Sequence, residues 1–401
     1  MINADEALRI ILDSTSPLKS EKIKLADATG RVLADDVVAT EEIPPFDNSS
    51  MDGFAVIAAD LGNASEPHRV SLKIVGESSA GNPFRKKLKR GYAVRVMTGG
   101  MIPAGADAVV PIEATNEDGG ESVFFTTPVQ SGQHIRRAGE DIRRGETILE
   151  RGTVIGPPQI GVLASLGYAK VRVFRKPYVN LVATGDELVE VSKNPKDGQI
   201  RDSTTHSLAA YVAREGGTSE SLGIVPDKRK RLKSKIKEGL DADVLLITGG
   251  VSVGKYDYVR ETLEELGVEI KFWKVNIKPG RPLVFGQLKR TLVFGLPGNP
   301  VSTSVTFLQF VRPALQKMGG RASSSALSLT AVIDHDFSKS DGKRHYIRCV
   351  VESIEGQLRA RSTGTQSSGV MSSMSKANAL MIVPEHVTRL QPGDSIQVEL
   401  F

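Results

Sequence analysis

Val244-Leu245-Leu246-Ile247-Thr248-Gly249-Gly250-Val251-Ser252-Val253-Gly254 is an apolar run of strand length that passes directly into small residues. A short apolar run bounded by glycine reads as a strand buried on both faces. Upstream, Leu181-Val182-Ala183 leads into Thr184-Gly185-Asp186-Glu187, and downstream Leu292-Val293-Phe294 leads into Gly295-Leu296-Pro297-Gly298-Asn299-Pro300. A further strand-like run covers Phe272 to Val275. Between these runs, helical patterns occupy Ser203 to Glu215 before Gly216-Gly217, Lys228 to Gly239, and Tyr256 to Leu266 before Gly267. The alternation predicts βαβ units, hence a three-layer α/β/α domain around a mainly parallel sheet. Ligands bind such sheets beyond the carboxyl ends of the strands, where glycine lets backbone N–H groups approach an anion.

The flanking regions have another texture. Asn3 with Glu6 three residues later makes a capping-box-like start, and Ala7, Leu8, Ile11 and Leu12 form one apolar stripe, so residues 3 to 13 read as a helix. From about residue 30 to 150 the chain turns to short alternating runs rich in Gly and Pro. Leu88-x-x-Gly91-x-x-Val94, Ile142-x-x-Gly145-x-x-Ile148 and Leu390-x-x-Gly393-x-x-Ile396 each place a glycine turn between two strand-like runs. Pro157-Pro158 opens a helix that stops near Gly167, and the last 80 or so residues return to strands and predict a β-barrel-like domain. The fold class is therefore α/β and β multidomain, with β-rich N-terminal domains.

At 401 residues, 40% hydrophobic and 25% charged, the chain has the bulk for several packed domains. Cys349 is its one cysteine, which excludes a disulfide framework within the chain, and the six histidines show no zinc-ligand spacing. The opening Met-Ile-Asn-Ala-Asp-Glu lacks an export leader, and no apolar run nears the roughly 20 residues of a membrane span. A cytoplasmic location without membrane association is expected. The net charge of +5 is concentrated at Arg85 to Arg90 and Lys228 to Lys237. In the second cluster Leu232 and Ile236 lie four apart and no aromatic interrupts the basic residues, so it reads as a solvated helix face rather than a nucleic-acid site.

Neither a Gly-x-Gly-x-x-Gly nor a P-loop pattern occurs. Lys274 and Lys278 lie just before Pro279-Gly280-Arg281-Pro282, so they and Arg281 either converge on one anion or form a solvated charged loop. Asp186, Glu187, Asp202, Asp227 and Asp257 fall at expected strand ends or helix starts, where they serve as helix caps or as oxygen ligands for Mg²⁺.

Ser50-Met51-Asp52-Gly53-Phe54-Ala55 resembles the signature of the molybdopterin molybdenumtransferases, the MoeA and gephyrin E-domain family. Met97-Thr98-Gly99 with Pro103-x-Gly105-Ala106-Asp107, Gly139-Glu140-Asp141-Ile142, Thr184-Gly185-Asp186-Glu187-Leu188, Gly249 to Gly254 with Asp257-Tyr258, Ile277-Lys278-Pro279-Gly280, and Gly295 to Ser302 follow in family order. The likeness spans nearly the whole chain. It departs at Thr204, where the family often has Asn, and at Ala183, where serine is common.

The resemblance implies Mg²⁺-dependent cleavage of adenylylated molybdopterin, insertion of molybdate (or tungstate) metal into the dithiolene, and release of AMP. It implies a homodimer whose active cleft is shared between subunits, and domains at 1–45 with 138–176, 46–137, 177–320 and 321–401. Carried over by position, Asp52, Glu187, Asp227, Asp257, Lys274 and Lys278 would be catalytic, with Asp227, Asp257 and Glu187 the metal-contacting carboxylates. Thr98, Asp141, Thr184, Gly185, Asp186, Gly249, Gly250, Val251, Ser252, Gly254, Pro279, Arg281, Pro297, Gly298, Asn299, Pro300 and Ser302 would bind substrate, with Arg348 and Ser368 as more loosely aligned anion contacts. Rival readings are an adenylyltransferase, to which a lone α/β domain would be suited, and a peptide-binding scaffold, expected to have lost the lysine and acid set.

Overall fold

A computed structural model describes residues 1–118, 120–251, 258–322 and 327–401. Ser252, Gly254 and Asp257 lie outside the described residues. The chain divides into two compact units: Met1–Asp35 with Arg151–Pro157 and Lys170–Phe401, and Asp36–Glu150 with Pro158–Ala169.

The larger unit is built on the α/β sheet. Its strand order among the described residues is Thr218–Val225, Tyr178–Thr184, Val244–Thr248, Thr291–Leu296, Val284–Leu288, Glu269–Trp273. The first four run parallel, Val284–Leu288 is antiparallel to both its neighbours, and Glu269–Trp273 thereby runs in the direction of the first four. Every residue of Val244–Thr248 is buried, as helices on both faces require of a central strand. Helices Thr204–Arg214, Arg229–Gly239 and Val259–Glu265 connect the strands as expected, and Gly216 and Gly267 follow two of them with positive φ of 83° each. From Tyr178–Thr184 the chain steps to one side, to Thr218–Val225, and then to the other, to Val244–Thr248. That reversal is the topological switch point, which opens a crevice at the carboxyl ends of the strands.

One strand differs from expectation in its bounds, and two others were not anticipated. The strand read as Phe272 to Val275 is Glu269–Trp273, because Lys274 takes a left-handed conformation (φ 72°) and ends it. The polar edge strand Thr218–Val225 and the glycine-interrupted Val284–Leu288 carried no continuous apolar run and were not legible in the pattern.

In the same unit, Ser328–Ile333, Arg344–Ile354, Gln357–Ser362, Ala379–Val383 and Ser395–Leu400 close into a barrel, since Arg344–Ile354 and Ser395–Leu400 both pair with Ala379–Val383. Ile277–Lys278 adds to this barrel beside Arg344 and His345. The N-terminal helix is Ala4–Asp13, capped by Asn3, whose side chain accepts from the Glu6 N–H at 2.8 Å.

The smaller unit holds a mixed sheet in the order Ala108–Pro111, Gly53–Val56, Tyr92–Val96, Val70–Ser78, Ser122–Phe125, Thr115–Asp118. Gly53 is fixed by close approach: a Cβ there would lie 2.0 Å from the Val110 carbonyl oxygen. The three echoed turns are glycine turns throughout, with φ of 80° at Gly91, 88° at Gly145 and 101° at Gly393.

Candidate functional site

A cleft of about 370 Å³ opens at the switch point, lined by Thr184, Gly185, Glu187, Asp227, Gly249, Gly250, Gly298, Asn299 and Pro300 of the expected residues. Thr184 ends its strand and donates its hydroxyl to Asp227 Oδ1 at 2.8 Å. The Asp227 N–H in turn donates to Asp186 Oδ1 at 3.2 Å, so Asp186 orients the segment that carries Asp227. Glu187 folds back over Gly185, where a Cβ would come within 2.4 Å of Glu187 Oε2.

The floor is glycine for a steric reason. Gly249 and Gly250 have φ of 89° and 62°, and a Cβ on Gly249 would lie 2.3 Å from the Thr184 carbonyl oxygen. Beneath it, Val251 is buried and its carbonyl accepts from Trp273 Nε1 at 3.2 Å. Pro297 and Ser302 serve the backbone, their carbonyls accepting from Thr303 and Thr306 hydroxyls.

Sequence reasoning passed over Arg201, Ser203 and Thr248, which also line the cleft. Arg201 Nε donates to the Val191 and Lys193 carbonyls at 3.0 and 3.1 Å, bracing the loop that carries it. Thr248 meets Thr204 hydroxyl to hydroxyl at 3.0 Å, so Thr204, in the departure from the family pattern, joins two ligand-edge elements. Asp202 is a helix cap: its Oδ1 accepts from the Thr204 and Thr205 N–H groups at 3.0 and 3.1 Å, and its Oδ2 from the Thr205 hydroxyl.

The remaining expected residues lie elsewhere. Lys274 stands over the Trp273 ring, Nζ 3.8 Å from its centroid. Lys278 is exposed on the strand Ile277–Lys278, 3.8 Å from Asp341 Oδ2, while Pro279 is buried and Arg281 is exposed. None of these four lines the cleft. Arg348 is fully buried; its Nε donates to the Ser373 hydroxyl at 3.1 Å and its Nη2 to the Ser367 carbonyl at 3.0 Å. Burial without a facing carboxylate pulls its pKa down to about 10. Arg348 thus holds the segment on which Ser368 accepts from Asn299 Nδ2 at 3.1 Å, bringing Ser368 to the cleft rim.

In the smaller unit, Asp52 Oδ1 accepts from the Thr98 N–H at 2.7 Å and its hydroxyl at 2.8 Å, which hold the carboxylate below its usual pKa. Asp141 is exposed, its N–H donating to the Ile43 carbonyl at 3.0 Å.

Among the described residues no group of three or more His, Cys, Asp or Glu side chains converges as a metal cage. Mg²⁺ does not require one: it is commonly held by one or two carboxylates plus substrate phosphates. Glu187 and Asp227 supply two carboxylates to one cleft, so the residues present fit such an ion.

The fold and cleft define a doubly wound α/β domain with an open cleft at its switch point, joined to a closed barrel. Residues 2–167 match the MoeA N-terminal region (domain I and II), 180–317 the "Probable molybdopterin binding domain", and 330–401 the MoeA C-terminal region (domain IV). The molybdopterin molybdenumtransferase of Haemophilus influenzae is 36% identical over 407 residues, covering 100% of this chain and 99% of that protein. That of Bacillus subtilis is also 36% identical, covering 100% of this chain and 94% of the relative. The crystal structure of a molybdopterin biosynthesis MoeA protein from Pyrococcus horikoshii OT3 superposes with a TM-score of 0.87 at 32% identity over the full length of both chains. The chain belongs to the molybdopterin molybdenumtransferase family, an enzyme family of molybdenum cofactor biosynthesis. Among the described residues no helix is long and apolar enough to cross a membrane.

Proposed function

We propose that this chain inserts molybdenum into adenylylated molybdopterin and releases AMP, with Mg²⁺ as cofactor and molybdate, or tungstate, as the metal substrate. The observation that carries this reading is the pair of cleft carboxylates, Glu187 and the Thr184-tethered Asp227, set on a glycine floor at the switch point of a family-matched domain.

The chemistry brings together anions that repel one another, so the protein must neutralise and align them. In this reading Gly249, Gly250, Gly298 and Asn299 receive the nucleotide end, while Glu187 and Asp227, together with Asp257, would hold Mg²⁺. Bound there, such an ion would supply positive charge that offsets the pyrophosphate's negative charge. An oxygen of molybdate attacks the adenylyl phosphorus, the anhydride P–O bond breaks, the pterin phosphate leaves with the bridging oxygen, and AMP forms with the oxygen from molybdate, with no covalent bond to the protein. The two dithiolene thiols bind the metal, and their protons leave with one oxide oxygen as water. Lys274 and Lys278, which stand outside the lining of this cleft, are assigned by the family resemblance to molybdate and the pterin phosphate, with Pro279 and Arg281 nearby in sequence.

The family resemblance further supports a homodimer in which a second copy's Asp52, Thr98 and Asp141 complete the site, and the four-domain division given above. The test is AMP release from adenylylated molybdopterin by the purified chain with Mg²⁺ and molybdate. Substrate binding without AMP release in either molybdate or tungstate overturns the proposal.

A further inference from the structure

The cleft has an electrostatic difficulty. Among the described residues its charged lining consists of the carboxylates of Glu187 and Asp227 against the one guanidinium of Arg201, yet the substrate of the proposed reaction is a polyanion. Before any metal is counted, the immediate lining repels what it must admit. The compensating charge lies one residue away.

Asp227 is followed directly by Lys228 and the helix Arg229–Gly239, whose apolar side is sealed by Leu232 and Ile236, 1% and 0% exposed. Its first turn carries no acidic residue, and the cap position is Lys228, with no side-chain capping bond. Positive charge there opposes the helix dipole, so this arrangement is unfavourable for the helix itself. Some of the charge is neutralised: Glu265 pairs with Arg229 and, at 2.8 Å, with Lys233, and Glu238 with Lys235 at 2.7 Å. Lys228, Lys230, Arg231 and Lys237 are exposed, and none has an acid within ion-pair distance among the described residues.

Successive Cα atoms are about 3.8 Å apart, so Lys228, Lys230 and Arg231 lie within roughly one helical turn of Asp227. That is comparable to the Debye length of about 8 Å at physiological ionic strength, so their field reaches the cleft mouth. Lys237 is six or more residues further along the helix, about 9 Å beyond Arg231 at 1.5 Å per residue.

We propose that Lys228, Lys230 and Arg231 form an electrostatic entry ridge that draws the adenylyl pyrophosphate end of the substrate to the cleft and raises its association rate. The ridge deepens the function proposed above and rests on that assignment of the cleft. It acts during approach and releases no proton and breaks no bond.

The experiment is stopped-flow association, followed by Trp273 fluorescence, for wild type, the triple variant Lys228→Gln/Lys230→Gln/Arg231→Gln, and the control Lys237→Gln. The probes are adenylylated molybdopterin, diadenosine pyrophosphate as an anion without the pterin, and uncharged adenosine. At low salt the triple variant should associate with both anions about tenfold more slowly, with an unchanged dissociation rate. The gap should close as salt is raised, adenosine should show no gap, and Lys237→Gln should resemble wild type. Melting of the triple variant at or above the wild-type temperature verifies its fold, because charge unfavourable to the helix has been removed. Equal association rates and salt slopes in wild type and triple variant overturn the ridge, as does failure of both anions to bind the wild type. Salt-steered binding of diadenosine pyrophosphate without AMP release from adenylylated molybdopterin retains the ridge and overturns the reaction.

Discussion

Thr184 and Asp227 belong to neighbouring parallel strand ends, and the 2.8 Å hydrogen bond between hydroxyl and carboxylate fixes where Asp227 sits in the cleft. Thr184 pairs with Val225 at the last rung, so Asp227 emerges two residues beyond a rigid ladder. A hydrogen bond to a charged group contributes about 1.5–3 kcal/mol. Thr184→Val should therefore lower kcat/KM by tenfold or more while the fold persists, and Thr184→Ser should restore most of the loss. Steady-state kinetics of the two variants check this.

Gly249 offers a purely steric test. Alanine at φ 89°, with its Cβ 2.3 Å from the Thr184 carbonyl oxygen, must displace the strand end that holds Asp227. Left-handed strain and overpacking together cost about 2–4 kcal/mol. Gly249→Ala should lower Tm on the order of 10 °C and abolish nucleotide binding, as measured by calorimetry and titration with AMP.

Asp52 gives a pH test. The Thr98 N–H and then its hydroxyl stabilise the charged carboxylate, so Asp52 stays ionised to a lower pH than an ordinary aspartate. Thr98→Val keeps the backbone bond and removes the other. The carboxyl resonance of Asp52, followed by ¹³C NMR in the full chain, should then titrate at higher pH than in wild type. If activity requires ionised Asp52, the acid limb of its pH profile should move the same way.

The α/β core was legible where its strands are uninterrupted apolar runs, as in Val244–Thr248, and where a left-handed glycine follows the helix, as at Gly216 and Gly267. The barrel was legible in outline from its long strands, but Ser328–Ile333 and Ala379–Val383 were not recognised as its members. Sequence order also placed Thr184, Glu187 and Asp227 on one rim, since strand ends of a parallel sheet share an edge. What it lacked were contacts made by packing: Thr204 with Thr248, Asn299 with Ser368, and the burial of Arg348, which looks like any surface arginine in a string of letters. The strand expected over Phe272 to Val275 in fact stops at Trp273, whose ring Lys274 covers.

The junction of Lys278 with the barrel predicts acid sensitivity. Burial, the largest single influence, would raise the Asp341 pKa, but the hydrogen bond from His345 at 2.8 Å, the His345 charge, the Lys343 N–H and the Lys343 charge together outweigh it and bring the value down to about 2. His345 itself is lowered from 6.5, chiefly by burial. Both groups bind fewer protons folded than unfolded, so both contribute stability that declines as pH falls. The His345 part begins to fade below pH 6.5, and the Asp341 part fades from 3.8 toward 2. Thermal melts against pH should show Asp341→Asn less stable than wild type at neutral pH, the gap narrowing below pH 3.8.

The most direct test of the central claim is the ratio of AMP released to molybdenum retained in molybdopterin during one turnover, with wild type beside Asp227→Asn and Lys274→Ala. The account predicts equal amounts in wild type, both dependent on Mg²⁺ and molybdate, and neither product from the folded variants. AMP release at the same rate without molybdate, or release with no metal retained, would contradict it.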